Sequence, residues 1–165
     1  MELPQRDLTA PELRTIVRSF AGRPDDWRHL VAHDAARRTY HELIRAEHLS
    51  LWLICWTDAQ DTGFHDHDRS AGAVAVVRGR VVEERLALGR PPTRRPVAAG
   101  ETFEFEPADI HRVAHVPGEP AVSLHAYSPR LERLGAYLVE PDGSLKRYSV
   151  SHEEELRPLA TAAPI

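Results

Sequence analysis

From Leu8 to Gly22 the stretch "LTAPELRTIVRSFAG" puts Leu13, Ile16, Val17 and Phe20 on one face at helical spacing. Thr9 is a cap residue with Glu12 three positions on, the pairing that closes a helix N-terminus. Gly22 ends the run, and Pro24 keeps it from continuing. A second short helix is predicted over "DDWRHLVAHDAA". The period then changes. "HLSLWLICW" is a continuous apolar run with β-branched and aromatic content, as in a strand buried on both faces. After it come "GAVAVVRG", "RVVEERLAL", "ETFEFEP", "HRVAHV", "AVSLHAYS", "GAYLVE" and "LKRYSV". These strand-length segments are punctuated by Gly79, Gly100, Pro107, Pro117, Gly118 and the turn Pro141-Asp142-Gly143. Many short strands at regular spacing predict a mainly β sandwich or barrel. "GRPPTRRPVAAG" reads as a surface loop, and "RPLATAAPI", from Arg157 on, as a loosely held tail.

With 165 residues the chain has the length of one domain able to bury a sizeable core. Its expected parts are a helical segment over 1–36, a barrel over 38–150 and the tail over 157–165. The net charge of −4, with mixed signs, argues against a nucleic-acid partner. A single cysteine excludes an internal disulfide framework and suits a reducing compartment. The opening "MELPQRDLTA" lacks the basic and apolar regions of a secretion signal. No apolar run approaches the ~20 residues of a membrane-spanning helix. A cytoplasmic monomer without membrane or nucleic-acid partners is the expectation. Ten histidines are the one oddity of composition.

Two of them, His65 and His67 in "FHDHDRSAG", alternate with Asp66, so a strand would point both imidazoles one way. A third, His111, stands in "EPADIHRVAHV" on a distant segment. Ligands presented from separate strands into a barrel interior are what a metal site requires. The competing reading of the pair alone is chance on a solvated face of a histidine-rich chain. Asp66 and Asp68 flank the pair, but parity turns Asp66 away and Asp68 reads as a loop residue. Cys55, Trp52 and Trp56 read as core.

These blocks resemble the cupin superfamily, whose first motif is G(x)5HxH(x)3-4E(x)6G and whose second is G(x)5PxG(x)2H(x)3N. After His67 and four intervening residues comes Gly72, where the glutamate usually stands, and Gly79 closes the first motif. The second motif maps onto Gly100, Pro107 and His111, with Asp109 near its second glycine and His115 in place of the asparagine. The implied fold is a double-stranded β-helix, or jelly-roll, barrel with an N-terminal helical segment. More narrowly, "LICW", "FHDHDRSAG" and "HRVAHVPGEPAVSLHAYSP" are similar to the cysteine dioxygenase family of thiol dioxygenases, over roughly residues 38–130. That resemblance implies Fe(II) held by His65, His67 and His111, with Ser123, His125 and Tyr127 as the segment beside the iron.

A three-histidine set without the acid leaves a dipositive metal with open positions, so a thiolate and dioxygen can both bind. The implied reaction adds both oxygen atoms to the sulfur of a small thiol or thione, giving a sulfinic acid. Tyr127 would donate its hydroxyl to the oxygen or the substrate, His125 would orient Tyr127, and Ser123 would fix His125. The family's Tyr-x-Arg segment, whose arginine grips the substrate carboxylate, is only partly kept in "RRTYHELIRAEH". Tyr40 fits the tyrosine, Glu42 takes the arginine position, and Arg38 shares its strand parity. An acid in the pocket would favour a cationic substrate such as ergothioneine, a thiolated imidazole with a trimethylammonium group. L-Cysteine is the alternative within the enzyme class, and a metal-dependent sensor or binding module the alternative outside it. His115, on the face of His111, reads either as a substrate contact or as packing. Some family members join a cysteine to the active-site tyrosine. The matching position here is Gly72, which has nothing to react.

Overall fold

The computed structural model describes residues 2–87 and 89–159. Helix α1 (Ala10–Ala21) starts where the cap pattern placed it, with the Glu12 carboxylate accepting hydrogen bonds from the Thr9 backbone N–H at 2.8 Å and hydroxyl at 2.9 Å. Its apolar face buries Leu13, Val17 and Phe20. The second predicted helix is not formed. Its sequence makes two single 3-10 turns, Pro24–Asp26 and Arg28–Leu30, broken at Trp27. The reason is Trp27 itself. Its ring is buried against α1 and its indole N–H donates to the Phe20 carbonyl at 2.9 Å, which folds the chain back before a helix can propagate.

Eleven strands follow: β1 (Thr39–Ala46), β2 (Leu49–Trp56), β3 (His65–Asp66), β4 (Ala71–Arg78), β5 (Arg80–Ala87), β6 (Arg90–Ala98), β7 (Thr102–Phe105), β8 (His111–His115), β9 (Ala121–Ser128), β10 (Arg133–Val139) and β11 (Leu145–Ser151). They form two antiparallel sheets, one ordered β1-β2-β9-β4-β7 and the other β11-β10-β3-β8-β5-β6. The predicted surface loop "GRPPTRRPVAAG" is largely β6, paired along β5 with Val82 opposite Pro96 and Glu84 opposite Arg94. Proline disfavours central strands, but β6 is a sheet edge, where one side of the backbone needs no donor.

The five-stranded sheet explains the apolar run of β2. Leu49, Leu51, Leu53 and Cys55 alternate onto one face and pack with Ala73 and Ala75 of β4 and Leu124 and Ala126 of β9 against α1. Burying each large aliphatic side chain there contributes roughly 1.5–3 kcal/mol. The other face carries Trp56, Val74, Val76 and Tyr127 into a second core between the sheets. The C-terminal segment is not free throughout. Arg157 donates to the Ala36 carbonyl at 3.3 Å, and Gly63 lies so close to Pro158 that an added Cβ would sit 2.8 Å from its Cα. Residues 160–165 of the expected tail lie outside the described residues.

Candidate functional site

A cavity opens between the sheets, and three histidines converge at it. The β3–β8 ladder pairs His65 directly with His111, and His67 follows β3 by one residue. Ligand atoms of all three lie within 4.8 Å of one another, and all three residues are buried. Burial holds His65 and His67 well below the usual imidazole range, with the neighbouring histidines adding to the effect. His111 is lowered by burial too, partly offset by Glu83. The tautomers follow from partners on the outer ring nitrogens. His65 Nδ1 donates to the Gly63 carbonyl at 3.1 Å, and His111 Nδ1 to Glu83 Oε1 at 3.2 Å. Each then keeps its Nε2 lone pair for a ligand. Neutral, converging, desolvated imidazoles fit a divalent transition metal.

Glu83 was not singled out from the sequence. It is buried, and burial pushes its carboxyl up, but hydrogen bonds from His111 and Arg85 outweigh this and hold it low. Its only sequence signal is an acid on the same parity as Val81 in β5. Asp66 takes no part in the histidine group. It turns outward and accepts from Arg147 Nε at 2.7 Å and Nη2 at 2.9 Å, and from the Tyr137 hydroxyl at 2.6 Å. Burial raises its pKa, yet these bonds bring it down to about 2. Asp68 is exposed and lies 3.6 Å from Arg147.

Gly72 has a steric reason. A Cβ there would sit 2.2 Å from the Phe105 ring. That ring stacks on His67, centroids 4.2 Å apart at 21°, and reaches His111 at 4.5 Å. Phe105 thus fills the space beside the histidines that a longer residue at position 72 would need.

On β9 the period of two brings Ser123, His125 and Tyr127 to the cavity side, and they are linked in series. Trp56 Nε1 donates to Ser123 Oγ at 2.8 Å. Ser123 Oγ lies 2.7 Å from His125 Nε2, and His125 Nδ1 lies 3.2 Å from Tyr127 Oη. Burial, with His111 and Arg38 nearby, brings His125 down to about 3, so its ring is neutral with one donor and one acceptor. Burial raises the Tyr127 phenol, which stays protonated. The Tyr127 ring is 5.3 Å from that of His67.

Arg38 and Tyr40 line the cavity. Arg38 is 6% exposed, its guanidinium lies 4.9 Å over the Trp56 ring, and one terminal nitrogen donates to the Leu156 carbonyl. Its other terminal nitrogen, Nη1, is buried without a partner. Burial lowers its pKa, which Glu155 partly restores, and an arginine remains charged. Glu42 is not among the cavity-lining residues and pairs with Arg45 Nε at 2.6 Å. The β1–β2 register is regular from Thr39 to Glu42 and bulges only beyond it, so Glu42 keeps the parity of Tyr40, and it is the ion pair with Arg45 that turns its carboxylate away from the cavity. His115 is not brought to the cavity either. It lies at the far end of β8, with Nε2 3.0 Å from the Glu119 carbonyl and Nδ1 3.1 Å from Asp58. Four strand residues, about 13 Å, separate it from His111. The cavity also takes His152, Glu154, Glu155 and Leu156 from beyond β11, residues with no signal in the sequence.

A family model described as cysteine dioxygenase type I matches residues 2–139. The cysteine dioxygenase type 1 of Danio rerio is 26% identical over 133 residues, covering 74% of this chain and 66% of that protein, just under two thirds. The Homo sapiens protein of the same name is 23% identical over 141 residues, covering 79% of this chain and 70% of its own. Among solved structures, a cupin superfamily protein from Desulfitobacterium hafniense aligns with a TM-score of 0.54 at 10% identity, covering 64% of this chain and 89% of that one. A double-stranded β-helix protein from Klebsiella pneumoniae aligns with 0.54 at 12% identity, covering 73% and 91%. The fold is therefore the cupin double-stranded β-helix.

Proposed function

The chain belongs to the cysteine dioxygenase type I family, and from that premise we propose that it is a non-heme Fe(II) thiol dioxygenase acting as a cytoplasmic monomer. The overall conversion is RSH + O2 → RSO2H, with no further reductant. Bound by His65, His67 and His111, iron(II) would supply open positions for a thiolate and dioxygen and lower the pKa of the thiol. The chain's own residues do the rest. Phe105 and the buried apolar wall exclude water from the histidine face. Arg38 Nη1, cationic and unpartnered, is available to a substrate carboxylate. Tyr127 keeps its proton and directs it to the cavity, because His125 donates to its oxygen.

The observation that carries this reading is the ordered Ser123–His125–Tyr127 series beside three neutral imidazoles. A binding or sensor module has no use for a directed hydroxyl there. The substrate is a small thiol or thione bearing a carboxylate. Ergothioneine, which joins a thiolated imidazole to a carboxylate and a trimethylammonium group, is the first candidate, and L-cysteine the second. Glu42, paired with Arg45 outside the cavity lining, does not bear on the choice. Oxygen uptake by the iron-loaded protein across a thiol and thione panel, with sulfinate identified by mass, tests the assignment. Uptake with no member of the panel would leave the non-catalytic module as the better reading.

A further inference from the structure

Beyond β11 the chain returns across the cavity mouth as a strap, residues 152–156, outside the span matched by the family model. The cavity wall holds it. The Tyr40 hydroxyl donates to the Glu153 carbonyl at 3.3 Å, the Arg38 backbone N–H to Glu155 Oε1 at 2.8 Å, and the Arg38 guanidinium to the Leu156 carbonyl. Leu156 packs into the core between the sheets. His152 is fixed from behind, its Nδ1 donating to the Glu132 carbonyl at 3.0 Å.

The strap completes an aromatic corner. The Tyr40 and Trp52 centroids are 5.9 Å apart at 59°, and those of Trp52 and His152 are 6.1 Å apart at 67°. Rings so inclined border one opening, and an edge-to-face pair leaves at least one π face free beside it. The nearby charges are mostly matched. Arg45, whose Nη2 lies 3.5 Å from His152 Nε2, is neutralised by Glu42 at 2.6 Å, and Glu155 by Arg157 at 2.7 Å. Glu154 lines the cavity and has no cationic partner among the described residues. Deeper in the same cavity, Arg38 Nη1 and Trp52 Nε1 are buried donors without acceptors. The opening thus sets one carboxylate without a cationic partner, Glu154, beside aromatic rings, and the interior is rich in donors.

We propose that the strap builds a second subsite, in which Tyr40, Trp52, His152 and Glu154 take an onium group of the substrate while Arg38 holds its carboxylate. This rests on the thiol dioxygenase reading for its substrate but not for its measurement. An ammonium carbon shell over ring faces gains cation–π attraction, and a nearby carboxylate adds to it. A neutral group of the same shape gains neither. Part of the selection of substrate charge thus falls to His152 and Glu154, outside the span that the family model matches.

The probes are glycine betaine and its uncharged isostere 3,3-dimethylbutanoate, which share a carboxylate and differ only in nitrogen against carbon. Their binding to the anaerobic iron-loaded protein is followed by tryptophan fluorescence and calorimetry. The betaine is expected to bind about tenfold tighter, ~1.4 kcal/mol. Glu154→Gln and Tyr40→Leu, both at exposed positions, should each reduce that ratio toward one with iron content unchanged. Equal binding of the two probes by the wild type, or a ratio untouched by both variants, would overturn the subsite. Absence of oxygen uptake with every thiol would instead overturn the dioxygenase reading, leaving the probe ratio readable.

Discussion

The indole N–H of Trp56 donates to Ser123 Oγ at 2.8 Å, and this one contact sets the direction of the whole polar series. An indole nitrogen can only donate. Ser123 therefore accepts on that side, and since a buried hydroxyl proton needs a partner, His125 Nε2 at 2.7 Å is the acceptor that takes it. His125 must then donate from Nδ1 to Tyr127 Oη at 3.2 Å, which frees the phenolic proton for the cavity. Trp56 also lies beneath the Arg38 guanidinium, so one core ring orients both polar elements of the site.

Interrupting that series should act on turnover rather than on substrate binding. Ser123→Ala leaves the Trp56 N–H and His125 Nε2 unpartnered in a buried place. Each such group costs about 1–3 kcal/mol. The expected results are a lower Tm, a kcat reduced about tenfold and an unchanged KM. Tyr127→Phe, which removes the proton donor itself, should lower kcat by roughly 10² or more. Steady-state oxygen uptake with wild-type kcat in both variants would rule out a role for the series.

The metal assignment separates ligands from their supports. His111→Ala should abolish both iron retention and turnover. Glu83→Gln keeps three ligands but weakens the hold on the His111 ring, so iron affinity should fall about 10–100-fold. Metal analysis after dialysis against graded chelator distinguishes the two, and full activity in the iron-depleted His111 variant would remove it from the ligand set.

Tyr127 is expected to be an unmodified phenol. Cys55 packs beneath α1, on the face of the sheet opposite Tyr127, and Gly72, across from Tyr127 in the β4–β9 register, has no side chain. Peptide mass mapping should show no Cys55–Tyr127 link. Installing a thiol by Gly72→Cys should displace Phe105 and cost about 1–3 kcal/mol of stability through overpacking.

Arg38 and Glu42 should part company when each is neutralised. Arg38→Gln removes the partner of a substrate carboxylate in a desolvated place, a loss on the order of 2–5 kcal/mol, so kcat/KM for carboxylate-bearing thiols should drop at least about thirtyfold. Glu42→Gln should leave substrate ranking unaltered. A change of ranking in the Glu42 variant alone would bring that carboxylate back to the cavity.

Acid should destabilise the fold before its carboxylates titrate. His125 is lowered to about 3, against 6.5 for an ordinary histidine, so between these values the unfolded chain binds a proton the folded one refuses. Its contribution is complete above about pH 6.5 and is lost as the pH falls toward 3. Asp66, at about 2 in the fold, adds a further loss only below about pH 4. Urea midpoints should fall steadily from pH 7 to pH 4, and less steeply in His125→Asn.

Much of this protein is written in local pattern. Residue periodicity and capping chemistry are short-range properties, so α1 and the alternation of β9 could be read from the chain, as could the three histidines once their spacing met a known motif. What the sequence could not decide were matters of distance and competition. Trp27 docks on α1 and breaks a helix that its own neighbours would form. The edge position of β6 makes three prolines tolerable in a strand. Glu42 keeps the strand parity of Tyr40, yet its ion pair with Arg45 draws the carboxylate off the cavity and leaves Arg38 as its cation, a competition that parity alone does not decide. The strap over residues 152–156 has no pattern at all, being placed by contacts with Arg38 and Tyr40 more than a hundred residues away. Local sequence determines what each segment can be, while burial and pairing across the fold determine which side chains share one cavity.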